Sequence, residues 1–308
     1  MAFYNNVIAG AAGAGDAGYK IERSLRFNSA DTAQLATRFL SFTDINTGTI
    51  SFWIKRSGLG AGVIAAGWDG GVSYSGSIQF NSSDDTLQVS MGGSAAHTFK
   101  TNAALRDVSS WYHVVASWNR SASAADKVKV WINGVAQTSS DTGYQSWTSG
   151  DCQIWAANAG NRIGRGDADR YTNQLNGYLA EYHYVDGQAL DETSFGKYDS
   201  NNVWQPKDCK DDLTYGTAGF YLSFNDTSSN SALGLDQSPG RTQDPTATTY
   251  GSITGGSVAN VFDGVLGHTS ELSLRPDGAG VTLDTPVTAS SSVRIYGSSE
   301  GTANARYQ

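Results

Sequence analysis

The chain has 308 residues, a formal net charge of −8 at pH 7 and a pI of about 4.9. Binding to nucleic acid or to an anionic membrane surface requires a basic face, so this acidity argues against both. No apolar run reaches the roughly 18 residues of a membrane-spanning helix, and we expect no membrane insertion. The 36 Gly against 5 Pro, with abundant Ser, Thr, Asn and Asp, predict many turns and few helices.

The chain starts with a Gly- and Ala-rich stretch, residues 1–18, that has too little apolar surface for a core of its own. We expect a flexible N-terminal arm that becomes ordered only by docking on another chain. From Tyr19 onward, alternating apolar and polar residues predict a series of short β-strands. The early ones are 24–27, 39–42, 49–55, 63–66, 77–80 and 87–91.

The strongest strand signals lie in the middle of the chain. Residues 111–118 are apolar on both alternating faces, which predicts a strand that is covered on both sides. Residues 127–132 end at Asn133-Gly134, the dipeptide that closes a tight hairpin. Further strands are predicted at 177–185 and 220–224, with a helical turn over 189–195 that ends at Gly196. The pattern as a whole predicts an all-β sandwich.

The composition changes after Asn225. Residues 226–257 are rich in Ser, Thr, Gly and Asp and predict a linker. A second apolar pattern occupies 258–308, with strands expected at 281–283 and 292–296. Fifty residues make a β module with a thin core, so we expect a partial second module whose natural polypeptide continues beyond Gln308.

Several segments resemble a known family. Residues 111–115, 128–134, 163–164 and 175–181 resemble, in the right order, the laminin-G-like, concanavalin-A-like jelly roll. Within that family, 19–31, 178–190 and 219–224 resemble virion proteins of tailed phages, especially marine and cyanobacterial ones. The resemblance implies a jelly-roll sandwich over 19–225.

The same resemblance implies a non-enzymatic virion protein of the tail-fibre type, assembled in the host cytoplasm and located in the phage tail. Its lectin-like sandwich would bind a host surface glycan, and its arm would bind other virion proteins. Two alternatives stay open: a head-decoration or tail-adaptor protein without a host ligand, and a carbohydrate-active enzyme. Phage fibres of this kind are usually trimers, and the 8 Trp and 15 Tyr exceed what one core needs, so we expect a homotrimer.

The acidic residues argue against catalysis. Related glucanases carry Glu-x-Asp-x-x-Glu on one strand, and this sequence has no such motif. Only five acidic residues are Glu, and Glu181 and Asp186 fall on opposite faces of a regular strand. The four His residues are far apart in sequence, and His113 lies on a strand where a hydrogen-bonded sheet histidine is expected. We therefore predict no catalytic residues.

Two kinds of binding site remain. Aromatic rings in or beside predicted loops could stack on sugars or serve as core and interface contacts, and the sequence does not separate the two. Acidic residues in Gly-rich loops offer oxygen ligands for calcium, the one cofactor considered, although Asp is also an ordinary turn residue. Cys152 and Cys209 lack the spacing of a zinc site and are expected to be free thiols. The glycan candidates are Trp68, Tyr144, Trp147 and Trp155; the calcium candidates are Asp69, Asp84, Asp85, Asp167 and Asp169.

Overall fold

A computed structural model describes residues 18–31, 33–37, 39, 41–68, 76–92, 97–155, 160–166, 173–228, 232–239, 247–250 and 280–283. In these ranges the protein consists of β-strands joined by loops and short 3-10 turns. No helix in them is long and apolar enough to cross a membrane. The strands are β1 Leu25–Phe27, β2 Leu35–Thr37, β3 Thr47–Arg56, β4 Gly62–Trp68, β5 Ser77–Phe80, β6 Thr86–Ser90, β7 Thr98–Ala104, β8 Tyr112–Asn119, β9 Val128–Ile132, β10 Val135–Ala136, β11 Gly160–Ile163, β12 Gly177–Asp186, β13 Gly196–Tyr198, β14 Trp204–Pro206, β15 Phe220–Leu222, β16 Ala247–Tyr250 and β17 Gly280–Leu283; the 3-10 turns are Ala124–Asp126, Gly143–Ser146, Glu192–Ser194 and Ala232–Gly234.

Two antiparallel sheets form a jelly-roll sandwich, so the predicted fold class is confirmed. The seven-stranded sheet has the order β1-β12-β3-β8-β9-β10, with β15 also paired to β12. The six-stranded sheet has the order β2-β11-β4-β5-β6-β7. Alternate side chains of both sheets form one buried core, as the period-2 pattern requires. Phe52 and Ile54 of β3 and Leu87 and Val89 of β6 are fully buried members of it.

The predicted Asn-Gly hairpin is confirmed. Asn133 and Gly134 have φ values of 50° and 76°, which match the tight turn between β9 and β10. Asn133 Oδ1 also accepts a hydrogen bond from the backbone N–H of His113 at 2.7 Å. Glycine is required at position 134 for two reasons: the positive φ, and the ring of Trp204, which would lie 2.3 Å from a Cβ there.

Most other predicted strands are found within a residue or two, but three expectations are corrected. The first is β2, which is Leu35–Thr37 rather than 39–42. β7 was not among the predicted strands, because its residues lack a clear alternating signal. The helical turn of 189–195 shortens to Glu192–Ser194, which begins at the cap Asp191. Gly196 does not end a helix there; it opens β13 because its backbone pairs with Pro206.

A separate unit contains the pair β16–β17, in which Ala247 is opposite Leu283. β17 confirms the strand predicted at 281–283, and β16 falls inside the stretch predicted as a linker. The strand predicted at 292–296 and the arm's residues 1–17 lie outside the described residues. The domain boundaries stay predictions.

The outer face of the seven-stranded sheet has a covered half and an open half. Over the covered half, the segment 190–221 packs on outward side chains of the sheet such as Val115 and Val185. Phe195, Cys209, Tyr215 and Tyr221 supply the buried side of this second apolar layer. The open half begins at the ends of the strands near Lys55 and Tyr178, both of which are half-buried.

Candidate functional site

Polar side chains gather on the covered half of the outer sheet face. Ser51 on β3, His113 on β8 and His183 on β12 point outward, because their neighbours in sequence point into the core. The segment 190–221 closes over them and leaves a crevice too narrow to hold a water molecule. Its lining residues are Ser51, Trp53, His113, Glu181, His183, Phe195, Pro206 and Lys207.

His113 is held in one tautomer by its two partners. The indole N–H of Trp204 donates to His113 Nδ1 at 2.9 Å, and an indole can only donate. Burial lowers the pKa of His113 to about 3, so the ring is neutral and its proton sits on Nε2. Nε2 therefore donates to Ser51 Oγ at 2.9 Å. A nucleophilic Ser-His pair needs the opposite direction, so this contact is structural.

Glu181 is aimed under the cover by a β-bulge. The register of β12 against β3 shifts between Ala180 and His183, and Glu181 takes φ 48°. Its Oε2 accepts hydrogen bonds from Tyr19 at 3.0 Å and from Tyr221 at 2.8 Å. Burial raises the pKa of this carboxyl group.

His183 lies beside Glu181 but does not form an ion pair with it. The distance from His183 Nε2 to Glu181 Oε2 is 3.9 Å, and burial lowers the pKa of the histidine to about 3. The ring stacks on Tyr221 at 4.3 Å between centroids, and its Nδ1 is 2.8 Å from the hydroxyl of Tyr215. All these contacts are internal to the fold.

Both cysteines are free, as the sequence predicts, and the structure shows that both are buried. Cys209 Sγ lies 3.9 Å from His183 Nε2, a pair that resembles a Cys-His nucleophile. Burial raises the pKa of Cys209 to about 12, however, so the thiolate that such chemistry needs is not formed. Cys152 lies in the core beside Met91, and burial likewise raises its pKa to about 12.

Asp186, the second carboxylate of β12, has a separate role. Its oxygens accept backbone N–H groups from Thr43 at 2.6 Å, Asp44 at 3.2 Å and Ala218 at 3.0 Å. It joins the loop before β3 to the loop before β15, whereas Glu181 bonds tyrosine hydroxyls. The two carboxylates therefore share no hydrogen-bond partner among the contacts of the described residues.

Three of the predicted glycan-stacking residues are in the core, which corrects the sequence interpretation. Trp147 and Trp155 are 1% exposed and Tyr144 is 6% exposed. Their loops fold back over the sandwich, so that Trp155 packs on Tyr184 at 5.6 Å between centroids. A sealed ring offers no face to a sugar. The side chain of Trp68, at the end of β4, lies outside the described residues.

The predicted calcium ligands Asp84 and Asp85 bind cations of the chain itself. Asp85 Oδ1 lies 2.8 Å from Arg56 Nη2, whose side chain is 1% exposed, and accepts the Gly60 N–H at 2.8 Å. These contacts lower the pKa of Asp85. Asp84 pairs with Lys100 at 2.6 Å, which lowers its pKa to about 2.

Calcium binding therefore stays a prediction. No group of three or more His, Cys, Asp or Glu residues that could hold a metal occurs in the part of the chain that the structure describes. Asp69, Asp167 and Asp169, the other calcium candidates, lie outside that part.

The two antiparallel sheets define a lectin-like, concanavalin-A-like sandwich. Residues 27–202, more than half of the chain, match the family model described as the concanavalin A-like lectin/glucanases superfamily. The protein therefore belongs to this family, of the laminin G type. No curated protein matches the chain.

Solved structures share the fold at low identity. A heptameric pentraxin of Limulus polyphemus aligns with TM-score 0.40 and 16% identity, over 56% of this chain and 80% of that one. Domain 4 of an extracellular arabinanase from Geobacillus stearothermophilus, solved with arabinotriose, aligns with TM-score 0.41 and 20% identity, over 56% of this chain and 75% of that one. Mouse laminin alpha1 domains LG4-5 align with TM-score 0.39 and 12% identity, over 78% of this chain and 52% of that one. These likenesses are of fold alone.

Proposed function

We propose that the protein is a non-enzymatic virion component of a tailed phage, a tail fibre whose lectin-type sandwich binds a host surface glycan. The observation that carries the proposal is membership of a lectin and glucanase superfamily, together with the burial of Glu181 in the part of the chain that the structure describes. Glu181 is 7% exposed and is covered by two tyrosines. The assignment to a phage depends on the resemblance of 19–31, 178–190 and 219–224 to virion proteins.

A role for residues 1–18 in attachment to other virion proteins is supported by the Gly- and Ala-rich composition of that stretch and by the anchoring of the residue that follows it. Tyr19 is anchored on Glu181 by its hydroxyl, which fixes the point from which the arm would leave the sandwich. A short anchored tether of this kind would let the arm dock without disturbing the core.

A homotrimer is supported by an apolar surface patch near the β9–β10 hairpin. Val135, Tyr198 and Val203 are 56%, 43% and 52% exposed. Tyr198 packs edge-on against Trp204 at 4.9 Å between centroids, and Trp204 lies against Gly134. Exposed apolar residues grouped in this way favour contact with another chain, and three copies around one axis would cover them.

The first test separates binding from hydrolysis. The full chain should bind to host surface polysaccharide in a pull-down assay and should release no reducing ends from it. Glu181→Gln should leave binding unchanged, because the Gln carbonyl can accept the same two tyrosine hydroxyls. Hydrolysis that is lost in this variant would identify the protein as an enzyme instead.

The second test locates the chain. Cryo-EM of virions should place it in the tail, light scattering should give the mass of a trimer, and deletion of 1–18 should prevent incorporation while the sandwich still folds. A monomer found on the capsid, with no glycan bound, would overturn the fibre role and support the head-decoration alternative.

A further inference from the structure

A row of four side chains crosses the open half of the outer sheet face. Arg26 on β1 is opposite Tyr178 on β12, and Tyr178 is opposite Lys55 on β3. Trp111 directly precedes β8, beside the residue that pairs with Ile54. All four point outward, because their sequence neighbours Phe27, Leu179, Ile54 and Tyr112 pack into or against the core.

The row forms one continuous surface. The guanidinium carbon of Arg26 lies 5.1 Å from the centroid of the Tyr178 ring. The rings of Tyr178 and Trp111 are 6.4 Å apart and inclined by 58°, so they approach each other over the strand that carries Lys55. Arg26 is exposed, and the other three side chains are half-buried. A ligand could therefore touch rings and cations at once.

The two cations of the row have no acidic partner in the described part of the chain. Lys100, Lys129, Lys207 and Lys210 each pair with an aspartate there, although the protein is acidic overall. Arg26 instead donates to Asn176 Oδ1 at 2.7 Å and to the Gly177 carbonyl at 3.3 Å. These two bonds orient the guanidinium group and leave three of its five donors for a ligand.

We propose that this row binds an anionic sugar unit of a surface polysaccharide, carboxylated or sulfated. The inference rests on the proposed glycan-binding function and names its ligand class and place. Half-buried rings offer apolar faces to the ring of a sugar, and a few placed polar groups orient it. The fork of Arg26 matches a carboxylate with two parallel hydrogen bonds, and Lys55 adds a second positive charge.

The test compares one oligosaccharide with and without its charge. Binding of tetragalacturonic acid to the full chain is measured by calorimetry against its methyl ester, which keeps the rings and removes the charges. We expect the acid to bind about tenfold more tightly or better, because bonds to charged groups are the stronger ones. Its affinity should fall as salt is raised, whereas that of the ester should not. A tetramer of otherwise uncharged sugars that carries sulfate groups instead of carboxylates identifies which anion is preferred.

Two double variants carry the same change of net charge. Arg26→Gln with Lys55→Gln should lose the tenfold preference for the acid. The control, Lys129→Gln with Lys210→Gln, removes two lysines that pair with Asp126 and Asp211, and its affinity should stay within about twofold. Equal loss in both would mean that only overall charge matters, which would overturn the proposal.

The outcomes separate this inference from the proposed function. If the acid and the ester bind with equal affinity, and both double variants bind as the unmodified protein does, glycan binding lies elsewhere. That outcome would overturn only the anionic site. No binding of any host glycan would overturn the glycan-binding function itself. If the test variant does not fold, the salt dependence of the unmodified protein still decides, since a flat response contradicts an anionic ligand.

Discussion

The two halves of the outer sheet face use similar residue types under opposite conditions. In the covered half, Trp204 stacks beside His113 at 5.8 Å and donates its indole N–H to that ring. In the open half, Arg26 lies over Tyr178, and its charge faces solvent. The first half is buried and the second is accessible to solvent, so the same kinds of contact hold the fold together in one place and stay available to a ligand in the other.

Burial beneath another segment, rather than residue type, therefore decides whether a polar side chain of this protein can bind a ligand. Beneath 190–221 the histidines are kept neutral and Glu181 has a raised pKa, because burial penalises the charged form. Groups buried in this way are out of reach of a ligand in solution. In the open half, by contrast, Arg26 is exposed to solvent.

The same contrast is sharpest between the neighbours Asp84 and Asp85, and it gives the largest expected effect. Asp85→Asn should lower the free energy of unfolding by about 3 kcal/mol, because it leaves the buried Arg56 without its counter-charge. Asn also suits the positive φ of 60° at this position. The control Asp84→Asn, at a half-buried pair whose side chains are 25% and 36% exposed, should change less. Urea denaturation measures both, and equal losses would contradict the contrast.

Aromatic rings provide the next comparison. Trp204→Ala should cost about 3 kcal/mol of unfolding free energy, because it uncovers His113 and leaves its Nδ1 without a donor. Trp204→Phe keeps most of the packing and should cost about 1 kcal/mol for the lost hydrogen bond. Trp111→Ala, in the open half, should cost less than Trp204→Ala. Thermal and urea unfolding measure these losses. A larger loss for Trp111→Ala than for Trp204→Ala would contradict the contrast between the two halves.

Acid should weaken the covered half. The pKa values of His113 and His183 are about 3, below the ordinary 6.5, so the unfolded chain takes up protons first. Their contribution to stability is complete above pH 6.5 and is lost as the pH falls towards 3, by up to about 1.4 kcal/mol per pH unit for each histidine. Glu181, whose pKa is raised, works in the opposite direction and offsets part of this loss.

The variant His183→Asn isolates one of these histidines. The Asn side chain can replace Nδ1 as a partner of the Tyr215 hydroxyl and does not titrate. Its stability should therefore fall less steeply than that of the unmodified protein between pH 6.5 and pH 4.5. Parallel curves for the two proteins would show that His183 is not held neutral by burial.

The smallest effect is expected in the open half. Lys55→Gln should change the free energy of unfolding by less than about 0.5 kcal/mol, because its amine has no ion-pair partner among the described residues. A loss several times larger, measured by urea denaturation, would mean that the open half is also structural and would weaken the case for a ligand there.

Several features of the fold were predictable from sequence because they depend on local rules. Alternation identified β3, β8, β9 and β12, and Asn133-Gly134 identified the hairpin. The expectation of a hydrogen-bonded sheet histidine at His113 is confirmed for the same reason. The absence of a catalytic Glu motif was also readable directly, since it depends only on spacing along one strand.

Other features depend on contacts between distant segments. Tyr144, Trp147 and Trp155 have the local signature of loop aromatics, and only the return of their loops onto the core buries them. The bulge at Glu181 needs the register of β12 against β3. Burial of a loop residue is decided by what packs over it, and no local pattern reports that.

The sequence by itself determined the strands, the tight hairpin and the sandwich class, because side-chain alternation and turn chemistry are properties of neighbouring residues. The tertiary structure alone decided that His113, His183 and Glu181 are buried under a covering segment. It also decided that four outward side chains form one row: Arg26, Tyr178, Lys55 and Trp111. Those residues come from strands far apart in the chain. Only sheet order and register, which the whole core fixes, bring them together or cover them.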